Sequence, residues 1–236
     1  MDNATRLQYL EAMGIDAWIP RTSVPVVSKP IVVSEGTTEH VIREPELRNA
    51  TSTVWADLES EVSGCTKCAL CETRTQTVFG TGNKTADWMI IGEAPGQHED
   101  EQGKPFVGKA GLLLTEMLRA AGLDRDEVFI TNILKCRPPG NRDPKPDEAE
   151  SCSGYLRQQQ ALVKPKIILA VGRISAQTLL NTDAPLAKLR GKVHKLDGVP
   201  LVVVYHPAYL LRSLLEKRKA WQDLQLAVQT VKDNKG

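Results

Sequence analysis

From Trp88 onward the chain repeats one unit: a short apolar run, a loop marked by glycine or proline, then a stretch with helical spacing. The apolar runs fall at 88–91, 128–131, Ile167–Val171 and 201–205. They are apolar at consecutive positions, as strands covered on both faces must be. Between them, 111–121 carries Leu112, Leu113, Met117 and Leu118 as an apolar stripe, and helices are expected over 147–163, Arg173–Leu180 and 214–231. Strands alternating with helices build a parallel sheet covered on both sides. The pattern therefore predicts an α/β fold, a three-layer α/β/α sandwich around a central four-stranded parallel sheet.

Ligands of such sheets bind beyond the carboxyl ends of the strands. The first strand is followed by Gly92, Glu93, Ala94, Pro95 and Gly96, the second by Asn132, the third by Gly172 and Arg173, and the fourth by His206 and Pro207. Glu93, Asn132 and His206 are thus expected to converge. A carboxylate, an amide and an imidazole at one sheet edge are the parts of a hydrolytic or acid–base site. The loop from 92 to 108 adds Glu99, Asp100 and Glu101. It is no phosphate-binding P-loop, since no Gly-Lys-Ser/Thr follows. Phe106 stands out because aromatic residues make up only 5% of the chain. It either offers a stacking platform to a flat ligand or plugs the loop onto the core.

At 236 residues, 41% hydrophobic and 25% charged, the chain has ordinary globular composition, which excludes collagen-like and wholly disordered classes. Its longest apolar runs are about five residues, against the ~20 needed to span a bilayer. No secretory pattern opens the sequence, so the cytoplasm is the expected compartment and no membrane association is expected. The net charge of +1 hides an asymmetry: residues 1–156 hold 16 Lys/Arg against 24 Asp/Glu, whereas 157–236 hold 14 against 5. A basic last third suits a phosphate-backbone partner, although solvated helix surfaces give the same count.

Five cysteines in a reducing compartment do not suggest a disulfide framework. Cys65 and Cys68 form a Cys-x-x-Cys pair, and Cys136 and Cys152 stand far downstream. The four can supply zinc or an iron–sulfur cluster with all-thiolate ligation, leaving Cys71 over. Residues 1–19 read as a short amphipathic helix with Leu7, Leu10, Met13 and Trp18 roughly in phase. Residues 20–52 have linker composition, with Pro20, Pro25, Pro30 and Pro45 among polar residues. Order is expected to resume near Thr53, with a helix leading into Cys65 and one domain over 53–236.

Several motifs, in order, resemble the family 4 (iron–sulfur) uracil-DNA glycosylases. The first is Gly92-Glu93-Ala94-Pro95-Gly96-x-x-Glu99-Asp100, continued by Gly103-Lys104-Pro105-Phe106-Val107-Gly108-Lys109-Ala110-Gly111. Ile130-Thr131-Asn132 and Lys135-Cys136-Arg137-Pro138-Pro139 resemble the middle segment, and His206-Pro207-Ala208-Tyr209-Leu210-Leu211-Arg212 the last motif. Glu93 distinguishes the chain from a neighbouring glycosylase family that lacks this carboxylate. The resemblance implies hydrolysis of the N-glycosidic bond of uracil in single- or double-stranded DNA, by a monomeric domain. By the same resemblance Glu93 and Glu99 orient or activate water, Phe106 stacks on the extruded base, Asn132 reads its polar edge, and His206 hydrogen-bonds the leaving uracil. Leu210 or Leu211, beside Arg212, would fill the gap left by the flipped base. Cys65, Cys68, Cys136 and Cys152 match the four ligands of a structural 4Fe–4S cluster.

The segment from Arg6 to Arg21 is similar to the N-terminal segment of the psi subunit of the bacterial DNA polymerase III clamp loader. That similarity implies a tethered peptide docking on the clamp loader through Leu7, Leu10, Ile15 and Trp18, with Trp18 as anchor. Two functions follow: a working glycosylase, or a replisome adaptor that keeps the fold with activity lost or secondary. The intact set Glu93, Glu99, Phe106, Asn132 and His206 favours the enzyme.

Overall fold

The computed structural model describes residues 44–234, with side chains from Thr53 onward. The expectations for residues 1–19, including Leu7, Leu10, Ile15 and Trp18, and for linker residues 20–43 lie outside the described residues, whereas residues 44–52, expected as linker, are already helical. Helix α1 (Glu44–Ser63) leads into the first cysteines. There follow β1 (Thr81–Gly82), β2 (Trp88–Gly92), α2 (Gln97–Gln102), α3 (Lys109–Ala120), β3 (Phe129–Asn132), α4 (Pro146–Val163) and β4 (Ile167–Val171). The chain ends with α5 (Arg173–Leu180), α6 (Leu186–Leu189), β5 (Val193–Leu196), β6 (Val199–Val204), α7 (Pro207–Arg212) and α8 (Lys217–Asp233). No helix among the described residues is long and apolar enough to cross a membrane.

The sheet runs β1-β3-β2-β4-β6-β5. Its four central strands are parallel, as the sequence pattern predicts, and β1 and β5 add antiparallel edges that the pattern does not reveal. Alternate residues of each strand feed two cores. Met89, Ile91, Phe129, Ile168, Ala170, Leu201 and Val203 pack with Trp55, Leu58, Tyr155, Val163 and Ala176 from α1, α4 and α5. Ile90, Ile130, Leu169, Val171, Val202 and Val204 pack with Leu114, Leu118, Leu224 and Ala227 from α3 and α8. Period-2 side chains explain the split, and it produces the three layers.

The order of the central strands sets the position of the site. From β2 the chain passes to β3 on one side, then returns to β4 and β6 on the other. Beyond the carboxyl ends of β2 and β4 the connections therefore diverge, which opens a crevice there. Register brings Gly92 opposite Asn132 and Val171 opposite Val204, so the four strands end level.

Candidate active site

At this crevice lies a cavity of ≈ 750 Å³ lined by Glu93, Glu99, Phe106, Asn132, His206 and Arg212, among others. The three strand-end residues expected to converge do converge, together with Phe106. Gly92 makes the convergence possible. A Cβ there would stand 2.3 Å from Asn132 Oδ1 and 2.6 Å from the Phe106 ring.

Asn132 closes β3 and is 2% exposed, and its Oδ1 has no hydrogen-bond partner. An unpaired buried amide oxygen costs roughly 1–3 kcal/mol. Such a cost is characteristic of a site that receives a ligand donor. The backbone below it is held by Lys135, whose buried ammonium donates to Thr131 Oγ1 (2.7 Å), Asn132 O (2.8 Å) and Gln159 Oε1 (2.7 Å). Burial pulls the Lys135 ammonium down to about 7.

His206 caps α7, its Nδ1 accepting the Ala208 N–H at 3.1 Å. Desolvation, followed by the nearby Arg212, lowers its pKa to about 4, against a weaker opposing pull from Glu99. The imidazole is therefore neutral at physiological pH, and with Nδ1 accepting, the ring proton sits on Nε2. Glu93 shows the opposite shift. Desolvation, then the Asp143 carboxylate, raises its pKa to about 7, while Arg173 opposes them. Asp143 and Arg173 form an ion pair at 2.7 Å on the cavity rim. Neither carries a site signature in the sequence, although Arg173 stands two positions beyond a strand end.

Phe106 combines the two roles that composition left open. It is 8% exposed and packed on the core, yet its ring lines the cavity and stacks on His206 with centroids 5.8 Å apart at 30°. Its backbone has φ 53°, a left-handed conformation that costs a bulky residue on the order of 1–3 kcal/mol.

Two expectations change. Glu99 lines the cavity, but its oxygens are committed to main-chain donors: Gly96 N–H at 3.1 Å, Val107 N–H at 2.9 Å and Gly108 N–H at 3.2 Å. The carboxylate thus holds the main chain of the loop, a structural role that the sequence does not reveal. Leu210 is fully buried and cannot act as a wedge, because the first turn of α7 directs it, with Pro207, to the core. Leu211 and Arg212 are exposed. Just beyond them, Leu214 at 63% and Leu215 at 93% are the more prominent apolar side chains, next to Lys217, Arg218 and Lys219. The apolar pattern of the closing helix, expected from 214, includes this doublet, but α8 begins only at Lys217.

A second, smaller cavity is lined by Cys65, Cys68, Cys136 and Cys152, and also by Cys71. Among the described residues, no three metal-ligating side chains surround a single ion position. A four-iron cubane sets a different requirement, because each thiolate binds its own iron and the sulfurs stand wider apart. The donor set fits such a cluster: all sulfur, and drawn from three distant segments into one space. Arg74 Nη1 donates to Cys136 Sγ at 3.1 Å, a charge-assisted contact suited to a thiolate. Burial raises Cys68 and Cys152 and pushes Cys136 up to about 11, whereas metal ligation requires deprotonation.

The fold and cavity define a class, and comparison with known proteins agrees. Residues 79–225 match the model of the uracil DNA glycosylase superfamily. The chain is 45% identical over 163 residues to the type-4 uracil-DNA glycosylase of Archaeoglobus fulgidus, covering 66% of this chain and 82% of that one. It is 37% identical over 179 residues to the type-4 enzyme of Thermotoga maritima, covering 74% and 93%. To a type-5 uracil-DNA glycosylase of Pyrobaculum aerophilum it is 32% identical over 146 residues, covering 55% and 64%. The chain belongs to the uracil-DNA glycosylase superfamily and, within it, to the type-4 family.

Proposed function

We propose that the cavity at the strand ends receives a uracil extruded from DNA and that Glu93, Phe106, Asn132 and His206 carry out its release. As a member of the type-4 family, the chain is a hydrolytic uracil-DNA glycosylase acting in base excision repair. The observation that carries the assignment of residues is the buried Asn132 amide with its unpaired oxygen in the cavity wall. Uracil offers an N3–H donor beside the O4 acceptor, which one side-chain amide can pair as acceptor and donor. Cytosine offers the reverse pattern, which the amide in this orientation would leave unpaired.

The base enters over the face of Phe106. As C1′–N1 breaks, the electron pair goes to uracil N1 and spreads to O2, where the neutral His206 donates from Nε2. A neutral donor has no proton to gain or lose near pH 7, so it stabilises charge without reorganisation. The sugar left behind is oxocarbenium-like. Glu93, when ionised, stabilises that cation and accepts a proton from the water whose oxygen bonds to C1′. Products are an abasic sugar and the uracil anion, which takes up from solvent a proton equivalent to the one Glu93 then releases.

Cys65, Cys68, Cys136 and Cys152 would hold a 4Fe–4S cluster, supplying a structural tie between the segment before the sheet, the loop after β3 and helix α4. Leu211, Leu214 and Leu215 would enter the gap in the duplex, with Arg212, Lys217, Arg218 and Lys219 on phosphates. Residues 1–19 would dock on the clamp loader through Leu7, Leu10, Ile15 and Trp18. The complete set of cavity side chains supports the enzyme over the adaptor. The test is excision of uracil from single- and double-stranded oligonucleotides, with cytosine in its place as control. Release of uracil and not cytosine is expected; no release from either strand form would overturn the reading.

A further inference from the structure

Phe106 holds a backbone conformation unfavourable to a bulky side chain, so its surroundings must impose it. The contacts that do so come from two directions. On the C-terminal side, Glu99 takes the Val107 and Gly108 N–H groups. On the N-terminal side, the half-buried Arg125 donates from Nη2 to Pro105 O at 2.7 Å and to Phe106 O at 3.1 Å. Its other terminal nitrogen is anchored to Thr115 Oγ1 at 3.2 Å on α3. Gly111, also on α3, lets the helix approach: a Cβ there would stand 1.8 Å from Phe106 O. Arg125 lies 19 residues from Phe106 in sequence, in the turn before β3. It does not line the cavity and cannot touch a base.

We infer that Arg125 is a positioning residue for base recognition. Its planar fork clamps the two carbonyls that flank the Phe106 backbone and so fixes the angle at which the ring meets uracil. Lysine can replace it only in part, because one ammonium does not present a rigid pair of donors to carbonyls on adjacent residues while also reaching Thr115. The inference rests on the proposed stacking role of Phe106, and the test separates the two.

The experiment is a double-mutant cycle on single-turnover excision, together with inhibition by free uracil and binding to abasic-site DNA. Phe106→Ala is expected to cost roughly 5- to 150-fold, the scale of base–aromatic stacking. Arg125→Ala should cost on the order of 10-fold within that range. It should weaken inhibition by free uracil by a similar factor and leave abasic-DNA binding unchanged. Arg125→Lys should fall between Arg125→Ala and wild type. In the Phe106→Ala background, Arg125→Ala should add less than about 2-fold, because a residue acting through Phe106 has nothing left to position. Penalties that multiply would overturn the inference while leaving the stacking role intact. A Phe106→Ala variant with wild-type excision would instead overturn the stacking role. Should Arg125→Ala not fold, Thr115→Val removes the anchor together with the Thr115 hydroxyl's bond to Gly111 O, and its smaller loss must likewise vanish in the Phe106→Ala background.

Discussion

The two cavities of the molecule are built on opposite plans, though only four positions separate Asn132 from Cys136. The cavity at the strand ends is assembled from residues that the sheet holds at fixed positions, and the environment of each is tuned for a charge state. Burial raises Glu93 to about 7 and lowers His206 to about 4. The thiol cavity instead gathers side chains from the segment after α1, the loop after β3 and helix α4, none of them on a strand. Its architecture ties segments together. Substitutions in the first should therefore change chemistry and spare the fold, and substitutions in the second should do the reverse. Lys135 bridges the two, holding the Asn132 carbonyl with an ammonium adjacent in sequence to Cys136.

The largest effect that would break this contrast is on rate. Glu93→Gln, Asn132→Ala and His206→Ala should each lower single-turnover excision by ~10²- to 10⁴-fold, the scale of removing an acid–base or electrostatic group. The melting temperatures of Glu93→Gln and Asn132→Ala should stay at or above wild type, and His206→Ala should lose only the few degrees that its cap on α7 contributes. A loss of rate that tracks a loss of stability would show that the strand-end cavity is no more independent of the fold than the thiol one.

Next in size is the thiol cavity. Cys136→Ser should abolish the visible absorbance expected of an iron–sulfur cluster and the iron, expected at about four per chain. It should also lower the melting temperature by roughly 10 °C, as loss of a bound metal centre removes folding free energy. Retained iron, or one zinc in its place, would contradict the assignment. Cys71→Ser should keep the iron, and bleaching in that variant alone would move the ligand set.

A smaller effect sharpens the comparison through stability. The folded carboxyl of Glu93 titrates above its unfolded value, so its contribution is fully present below about 4.5 and is lost as pH rises towards about 7. Glu93→Gln lacks that loss. Relative to wild type it should gain about 1–3 kcal/mol between pH 4.5 and pH 8, a few degrees in thermal melts taken at both values. Equal melting at both pH values would show that the carboxylate is not desolvated. Smallest of all, removing residues 1–43 should leave excision on a short oligonucleotide within roughly 2-fold. It should abolish capture by the clamp loader in a pull-down, as Trp18→Ala should weaken it. Unchanged capture would remove the docking role.

Much of the strand-end cavity could be read before any coordinates. Ile167–Val171 is apolar at every position because helices cover both faces, and that signal needs no context. The edges lack it: β1 has two residues, and β5 alternates exposed and half-buried side chains in Val-His-Lys-Leu. The functions of Glu99 and Leu210 depend on what lies across from them. Glu99 is an acid in a loop until Val107 and Gly108 turn their N–H groups towards it. Leu210 and Leu211 are adjacent leucines until the phase of α7 sends one inward and the other out. Arg125 has no signature at all, since its partners are backbone carbonyls.

The most direct test of the account is the pH dependence of single-turnover uracil excision between pH 5 and 9, for wild type and Glu93→Gln. The reaction needs Glu93 ionised and His206 neutral, and His206 is already neutral across that range. The rate of the wild type should therefore rise with pH through a single step near 7 and level off above it. In Glu93→Gln the step should disappear along with most of the rate. A rate that falls as pH rises through 7, or a step that survives in Glu93→Gln, would contradict the assignment of Glu93 as the working carboxylate.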